Sequence, residues 1–208
     1  MSLIGKNVTA VQGDVSKLDD LDRLYEVVRK AKGRVDVVLQ NAAVVDPVPL
    51  AESTAETFDK HFALNAGGAY FTVQKALPLL ADNASIILSG SAAWQMGIPG
   101  YGAYSATKAA LVSFVRTWTA ELAGRGIRAN VISPGPTDTP MLQVGSKGTP
   151  EVHPIMCRGP THRWSSGGPA EEIPKIRNLD SFGIRSTYTV SGIRHYACTF
   201  IFAHLLVS

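Results

Sequence analysis

The chain has 208 residues, of which 45% are hydrophobic and 18% charged, and its formal net charge is +3. This length and composition suit one globular domain with a hydrophobic core, and they exclude disordered, collagen-like and disulfide-rich proteins. Two widely spaced cysteines predict no disulfide framework, so a reducing, cytoplasmic setting is expected. The small charge excess does not form the dense basic patch with interleaved aromatic residues that is typical of nucleic-acid-binding proteins.

The ends of the chain predict no membrane partner. The first residues, MSLIGKNVTAVQGD, lack the basic and then apolar regions of a signal peptide. The apolar run at 199–207 is about half as long as the roughly 20 residues that a membrane-spanning helix needs.

Residues 1–145 predict strands that alternate with helices. Strands are expected near 8–12, 35–40, 84–89 and 127–133, where apolar and β-branched residues are concentrated. Helices are expected at 19–32, from a cap at Ser53 or Thr54 to Leu80 with a break at Gly67-Gly68, and at 104–123. The alternation predicts an α/β fold, with a parallel sheet and helices on both of its faces.

The chain changes character near residue 145. Residues 146–208 show no clear periodicity and hold seven Lys and Arg against four Asp and Glu, whereas residues 1–145 are balanced. We expect a domain at 1–145 and an atypical, poorly ordered tail at 146–208. Cys157 and its neighbouring histidines lack a recognised zinc spacing, and His61 is expected on a helix surface, so no metal site is predicted.

Tyr104 and Lys108 are the residues that most directly indicate chemistry. They are four positions apart in a predicted helix, so their side chains share one face. An ammonium group beside a phenol is expected to lower the phenol pKa from about 10, which makes tyrosine a proton donor or acceptor near neutral pH. A bare Tyr-x-x-x-Lys pair is nevertheless more often two unrelated surface residues.

Polar residues follow several predicted strands, at the edge where parallel sheets bind ligands. Ser91 is either a turn serine or a hydroxyl that faces the phenol across a substrate carbonyl. Asn65 is either a buried structural amide or the holder of a water that relays protons to the lysine. Asn41-Ala42-Ala43 and Pro134-Gly135-Pro136-Thr137-Asp138-Thr139 follow two further strands, and each alone is an ordinary strand-end turn.

Together, in order and spacing, these segments resemble the short-chain dehydrogenase/reductase family over about residues 5–142. The resemblance implies a Rossmann-like, doubly wound sheet and hydride transfer between NAD or NADP and a small alcohol or carbonyl substrate. Asn65, Ser91, Tyr104 and Lys108 match the catalytic tetrad. Tyr104 would be the general acid/base, and Lys108 would lower its pKa and bind the nicotinamide ribose. Ser91 would orient the carbonyl, and Asn65 would hold the relay water.

The resemblance also implies a cofactor site and a mode of assembly. The implied cofactor-binding residues are Asp14, Val15, Asn41, Ala42, Ala43, Tyr104, Lys108, Pro134, Gly135, Thr137 and Thr139. Family members pair through two long helices that match about 56–80 and 104–123, which implies a homo-oligomer.

Two departures from the family pattern bear on activity. The family opens with a strand, a glycine-rich turn and a helix, yet no Gly-x-x-x-Gly-x-Gly segment precedes Asp14, and the usual last strand ending in Val-Asp-Gly-Gly is absent. If the first βαβ unit is lacking, cofactor binding should be weak and apolar surface near Val37 and Val38 should be exposed. Two functions therefore stay open: an NAD(P)-dependent oxidoreductase, or a catalytically inactive fragment that at most serves as an interaction or dimerisation module.

Overall fold

The computed structural model describes residues 8–135, in which three strands alternate with helices. In chain order the elements are α1 (Leu18–Ala31), β1 (Val35–Gln40), α2 (Ala55–His61), a π-helical segment (Phe62–Gly67), α3 (Gly68–Ala76), β2 (Leu80–Ser89), α4 (Gly102–Glu121) and β3 (Arg128–Ile132). Short 3-10 turns occur at Leu50–Glu52, Ala92–Gln95 and Ala123–Arg125. The tail predicted at 146–208 lies outside the described residues.

The strands form one sheet in the order β1-β2-β3, and both neighbouring pairs are parallel. The predicted α/β class and parallel sheet are therefore confirmed. The connection from β1 to β2 through α3 and the connection from β2 to β3 through α4 move in the same direction across the sheet. Because such connections are right-handed, α3 and α4 lie on the same face of the sheet. A second helix layer, which a doubly wound sheet has on its other face, is not among residues 8–135.

The hydrophobic core lies between the sheet and these helices. Ile86, Leu88 and Leu111 are fully buried there, and burial of each such side chain stabilises the fold by about 1.5–3 kcal/mol. α1 joins this layer because Tyr25 is buried against α3, where its hydroxyl donates to the Thr72 carbonyl oxygen at 2.7 Å.

The predicted strand at 8–12 is wrong. Val8, Thr9 and Ala10 are exposed and have no strand assignment. A strand is stabilised by the ladder it makes with a neighbour, and no strand among residues 8–135 pairs with this segment.

The long helix predicted from residue 54 begins and breaks as expected but ends early. Thr54 caps it, and its hydroxyl accepts from the Thr57 N–H at 3.2 Å. The break near Gly67 is the π-helical segment. The helix ends at Ala76 rather than Leu80, because the ring of Pro78 cannot continue a helix and Leu80 pairs with β1 instead.

The expected exposure of Val38 is also wrong. Val38 is only 5% exposed and belongs to the core, whereas Val37 is half-buried on the opposite face. Successive side chains of a strand alternate between faces, so only one of the two was able to point away from the helices.

Candidate active site

The turn at Asp14 and Val15 is held against the start of α3. A Cβ on Gly68 would lie 2.7 Å from Val15 Cγ2, so the close approach requires glycine. The Asp14 carboxylate accepts from the Ser16 hydroxyl at 2.7 Å and from the Ser16 N–H at 2.9 Å, and these bonds lower the pKa of Asp14. Asp14 lies at the rim of an open cavity of about 750 Å³ that is also lined by residues 9–13.

The carboxyl ends of β1 and β2 are joined by side chains. The Ser89 hydroxyl donates to Asn41 Oδ1 at 2.7 Å. The buried Gln40 amide donates to the Ala42 carbonyl oxygen at 2.9 Å. These bonds hold the Asn41-Ala42-Ala43 turn beside the end of β2, which carries the next part of the site.

Ser91 is positioned by pairing that continues beyond the ends of β2 and β3. The Gly90 N–H donates to the Ile132 carbonyl oxygen at 2.7 Å, and the Ala92 N–H donates to that of Pro134 at 2.9 Å. The approach is so close that a Cβ on Gly90 would lie 2.5 Å from a methyl carbon of Val131. As a result, Pro134 and Gly135 lie beside Ser91. Thr137 and Thr139, the other two residues predicted for this segment, lie outside the described residues.

Tyr104 and Lys108 are both buried on the side of α4 that meets these strand ends, with 9% and 3% of each residue exposed. The Ser91 side chain lies close enough to the phenol of Tyr104 to oppose the rise in its pKa. Lys108 Nζ donates to the Ser89 carbonyl oxygen at 2.7 Å and lies 5.6 Å from the centroid of the Tyr104 ring. The structure therefore brings Ser91, Tyr104 and Lys108 together.

Burial dominates the protonation of this cluster. It raises the pKa of the Tyr104 phenol, against the opposing effect of the Ser91 hydrogen bond. It lowers the pKa of the Lys108 ammonium to about 8. The predicted lowering of the Tyr104 pKa by Lys108 is wrong for this arrangement, because Lys108 donates to Ser89 and desolvation of the phenol outweighs the stabilisation of phenolate.

Asn65 links the π-helical segment to Val44 and to Thr107 of α4. Its Oδ1 accepts from the Val44 N–H at 2.8 Å, and its Nδ2 donates to the Val44 carbonyl oxygen at 2.9 Å and to Thr107 Oγ1 at 3.2 Å. Thr107 in turn donates to the Tyr104 carbonyl oxygen at 2.7 Å. Both amide protons of Asn65 are used, so the side chain offers no donor to a relay water and instead fixes Val44 to α4.

Sequence reasoning missed His61, Ser89 and Thr107. His61 was expected on a helix surface and is 2% exposed. Its Nε2 accepts from the Asp46 N–H at 3.2 Å, and its Nδ1 lies 2.8 Å from the Thr57 carbonyl oxygen. The available signal was its place four residues before Asn65, which puts the two side chains on one side of the helix.

Comparison with known proteins identifies the lineage. The family model described as enoyl-(acyl carrier protein) reductase matches residues 2–168. The chain belongs to the short-chain dehydrogenase/reductase family. An oxidoreductase of Sarocladium schorii is 45% identical over 133 residues, which are 63% of this chain and 53% of that protein. A short-chain dehydrogenase/reductase of Pestalotiopsis microspora is 35% identical, over 67% of this chain and 53% of its own length. The chain thus spans about half the length of these relatives.

Solved structures of short-chain dehydrogenases share the same fold. A short-chain dehydrogenase/reductase from Serratia marcescens matches 64% of this chain and 55% of its own, with 26% identity and a TM-score of 0.62. A short-chain dehydrogenase from Burkholderia cenocepacia, solved in complex with NADP, matches 61% of this chain and 52% of its own, with 26% identity and a TM-score of 0.59.

The Lys108 ammonium is the part of this candidate site that fits a nicotinamide nucleotide best. An ammonium group carries three donors, and a buried charge with a single hydrogen bond is poorly satisfied. The hydroxyls of a ribose are acceptors suited to the remaining donors. Residues 8–135 contain no Gly-x-x-x-Gly-x-Gly turn for a pyrophosphate, so the fit covers the ribose and nicotinamide end.

Neither a metal site nor a membrane-spanning helix is found among residues 8–135. Among residues 8–135, no group of three His, Cys, Asp or Glu side chains is placed to hold a metal ion. Over the same residues, the helices are too short or too polar to cross a membrane.

Proposed function

We propose that this short-chain dehydrogenase/reductase transfers hydride between NAD or NADP and a small alcohol or carbonyl compound. The observation that carries the proposal is the meeting of Ser91, Tyr104 and Lys108 at the ends of β2 and α4. The NADP complex of the Burkholderia neighbour supports the choice of cofactor class. A relative from Pestalotiopsis fici named as a tetrahydroxynaphthalene reductase, 33% identical over 147 residues, supports a carbonyl or alcohol substrate.

The chemistry of the site favours reduction. A bound nicotinamide would supply the hydride or accept it. Burial raises the pKa of Tyr104, so the phenol is protonated near neutral pH and is ready to donate its proton to a carbonyl oxygen. Ser91, whose side chain lies close enough to the phenol to affect its pKa, would donate to the same oxygen and orient the carbonyl.

The cofactor would lie along the carboxyl ends of the strands. Lys108 would donate to the ribose, while Asn41, Ala42, Ala43, Pro134 and Gly135 would line the nicotinamide side. Asp14 and Val15 would contact the adenine end. Thr137 and Thr139 are proposed for the nicotinamide on the family resemblance. Asn65 would act by fixing Val44 with its side-chain amide rather than by donating to a relay water.

We further infer the setting and assembly of the protein. The sparse cysteines suit the cytoplasm. A second copy would pair through α3 and α4, whose outer surface carries Tyr70 and Phe71, each 37% exposed. Neither a nucleic acid nor a membrane is a proposed partner.

The proposal is tested by titration calorimetry with NADH and NADPH, followed by assays of NAD(P)H oxidation with a panel of carbonyl compounds. The 208-residue chain should bind NADH or NADPH more weakly than micromolar, because residues 8–135 offer no glycine-rich turn to the phosphates of the cofactor. A chimera in which a strand, a glycine-rich turn and a helix are added in front of this chain should bind at micromolar concentration and oxidise the cofactor only when a carbonyl is present. A chimera that binds but reduces no carbonyl would point to the alternative, an inactive module.

A further inference from the structure

The segment at residues 44–48 runs between the π-helical region and the catalytic cluster. Val45 is partly buried against the apolar cluster that contains Tyr101 and Tyr104. The Val48 N–H donates to the Gly100 carbonyl oxygen at 2.9 Å, which ties the far end of the segment to the loop before α4. The 44–48 segment therefore packs on the apolar cluster to which Tyr104 belongs.

Two side chains hold this segment on either side of Val45. Asn65 binds both backbone groups of Val44, and His61 accepts from the Asp46 N–H. His61 and Asn65 are four residues apart, so they reach the segment from successive turns of one helix. The residue between their two contacts is the one that packs on the Tyr104 cluster.

The contact with the Asp46 N–H requires a lone pair on His61 Nε2. Its Nδ1 lies 2.8 Å from the Thr57 carbonyl oxygen, which accepts only, so Nδ1 carries the proton and Nε2 has the lone pair. The ring is 2% exposed, and water therefore has little access to replace it as the acceptor for the Asp46 N–H. Asp46 also pairs with Lys60 at 3.3 Å, but both side chains are about half exposed, and such surface pairs contribute little.

We infer that His61 is a positioning residue of the reaction: it holds the 44–48 segment so that Val45 keeps water from Tyr104 and forms the wall against which the carbonyl substrate lies. This inference rests on the proposed function for its catalytic meaning. The shielding of the Tyr104 phenol from water can be measured without any enzyme turnover. Loss of the Nε2 acceptor would leave the part-buried Asp46 N–H unsatisfied, and the segment would move to reach water.

Three variants separate positioning from simple stability. His61→Phe keeps a ring and removes both nitrogens. His61→Gln keeps an acceptor near the position of Nε2. Lys60→Met removes the other contact between α2 and Asp46 and serves as the matched control.

The first measurement follows the titration of Tyr104 by NMR of Cζ-labelled tyrosine in the full chain, with the signal assigned by Tyr104→Phe. The pKa of Tyr104 should fall toward 10 in His61→Phe, because the phenol becomes hydrated, and should stay raised in His61→Gln and Lys60→Met. If His61→Phe lowers the melting temperature but leaves the Tyr104 titration unchanged, His61 is only structural and the inference is overturned.

The second measurement uses the active chimera described above. We expect His61→Phe to raise the KM for the carbonyl substrate at least tenfold while the KM for the cofactor stays unchanged, with recovery in His61→Gln. Equal effects on both KM values would overturn the substrate-wall role. A chimera with no turnover would contradict the proposed function, while the titration would still decide whether His61 shields Tyr104.

Discussion

Lys108 donates to the Ser89 carbonyl oxygen from a position in which only 3% of the residue is exposed. Burial of an ammonium group costs free energy, and the protein responds with a pKa lowered to about 8. Tyr104 responds in the opposite sense, because burial disfavours phenolate. Near neutral pH only Lys108 therefore carries a cost in stability, because the phenol of Tyr104 is uncharged in both the folded and the unfolded chain.

The cost at Lys108 should make stability depend on pH. In the unfolded chain the lysine pKa is about 10.4, so between about pH 8 and pH 10 the unfolded state binds more protons than the folded state. The contribution of Lys108 to stability then rises with pH over this window, and the full cost of the buried ammonium remains below it. Relative to Lys108→Met, the free energy of unfolding of the wild type should increase by roughly 2–3 kcal/mol from pH 7 to pH 10.

Urea unfolding at pH 7, 8, 9 and 10 measures this difference. Lys17→Met, which removes an exposed lysine, is the control and should show no such change. A wild type and a Lys108→Met variant with parallel pH dependence would mean that the ammonium is hydrated.

Tyr104→Phe should remove the proton donor while preserving the fold. The ring stays in its buried place, so the melting temperature should change little. Turnover of the active chimera should fall by about 10²–10⁴-fold. Tyr70→Phe, on the outer face of α3, is the control and should keep full activity. Substantial residual turnover in Tyr104→Phe would contradict the acid/base role.

At the scale of elements, the site depends on two irregularities. The π-helical segment Phe62–Gly67 carries Asn65, and the tip of β2 carries Gly90 and Ser91. Each of them departs from regular geometry where a side chain must reach a neighbouring element. Irregular turns of helix at functional positions are a recurrent use of such geometry.

Gly90→Ala should destabilise the tip of β2 and displace Ser91. The added Cβ would lie 2.5 Å from Val131 Cγ1 and 2.9 Å from Ser133 Oγ. Overpacking of this kind costs about 1–3 kcal/mol. Thermal and urea unfolding measure it, with Gly97→Ala as the control, because a Cβ there meets nothing within 4 Å. A Gly90→Ala variant as stable as Gly97→Ala would show that the tip is loosely packed.

For the whole molecule, the arrangement of helices leaves an aromatic ridge in which Tyr70 and Phe71 are each 37% exposed and Trp118 is buried. Tyr70 of α3 contacts Phe114 and Trp118 of α4, with ring centroids 5.2 and 5.7 Å apart, and Phe71 adjoins it. Contiguous apolar surface of this kind marks interfaces in soluble proteins. The ridge lies on the two helices through which the family resemblance implies pairing.

Phe71→Glu should therefore shift a dimer toward the monomer, because a carboxylate buried between two copies has no partner. Sedimentation velocity measures the mass in solution. Leu18→Glu, an exposed apolar position on α1, is the control and should leave the assembly unchanged. A monomeric wild type, or a Phe71→Glu variant that remains dimeric, would contradict pairing through α3 and α4.

Local patterns in the chain were sufficient for the class of fold, three of its strands, the helix α4 and the meeting of Tyr104 with Lys108. These features depend on interactions between residues close in sequence: β-branched runs, a Thr54 cap, and i, i+4 spacing on a helix. The sequence also predicted that Ser91 and Asn41 lie at strand ends on one edge of the sheet, because parallel strands bring their carboxyl ends to the same edge.

Contacts between distant segments decided the rest. Residues 8–12 have strand-like composition but no pairing neighbour among residues 8–135, and Val38 is buried because strand alternation turns it toward the helices. The direction of the Lys108 ammonium, the engagement of Asn65 by Val44 and the burial of His61 each depend on which backbone group lies opposite. Such partners lie 15 or more residues away in the chain, and only the packed structure sets the desolvation that raises the pKa of Tyr104 instead of lowering it.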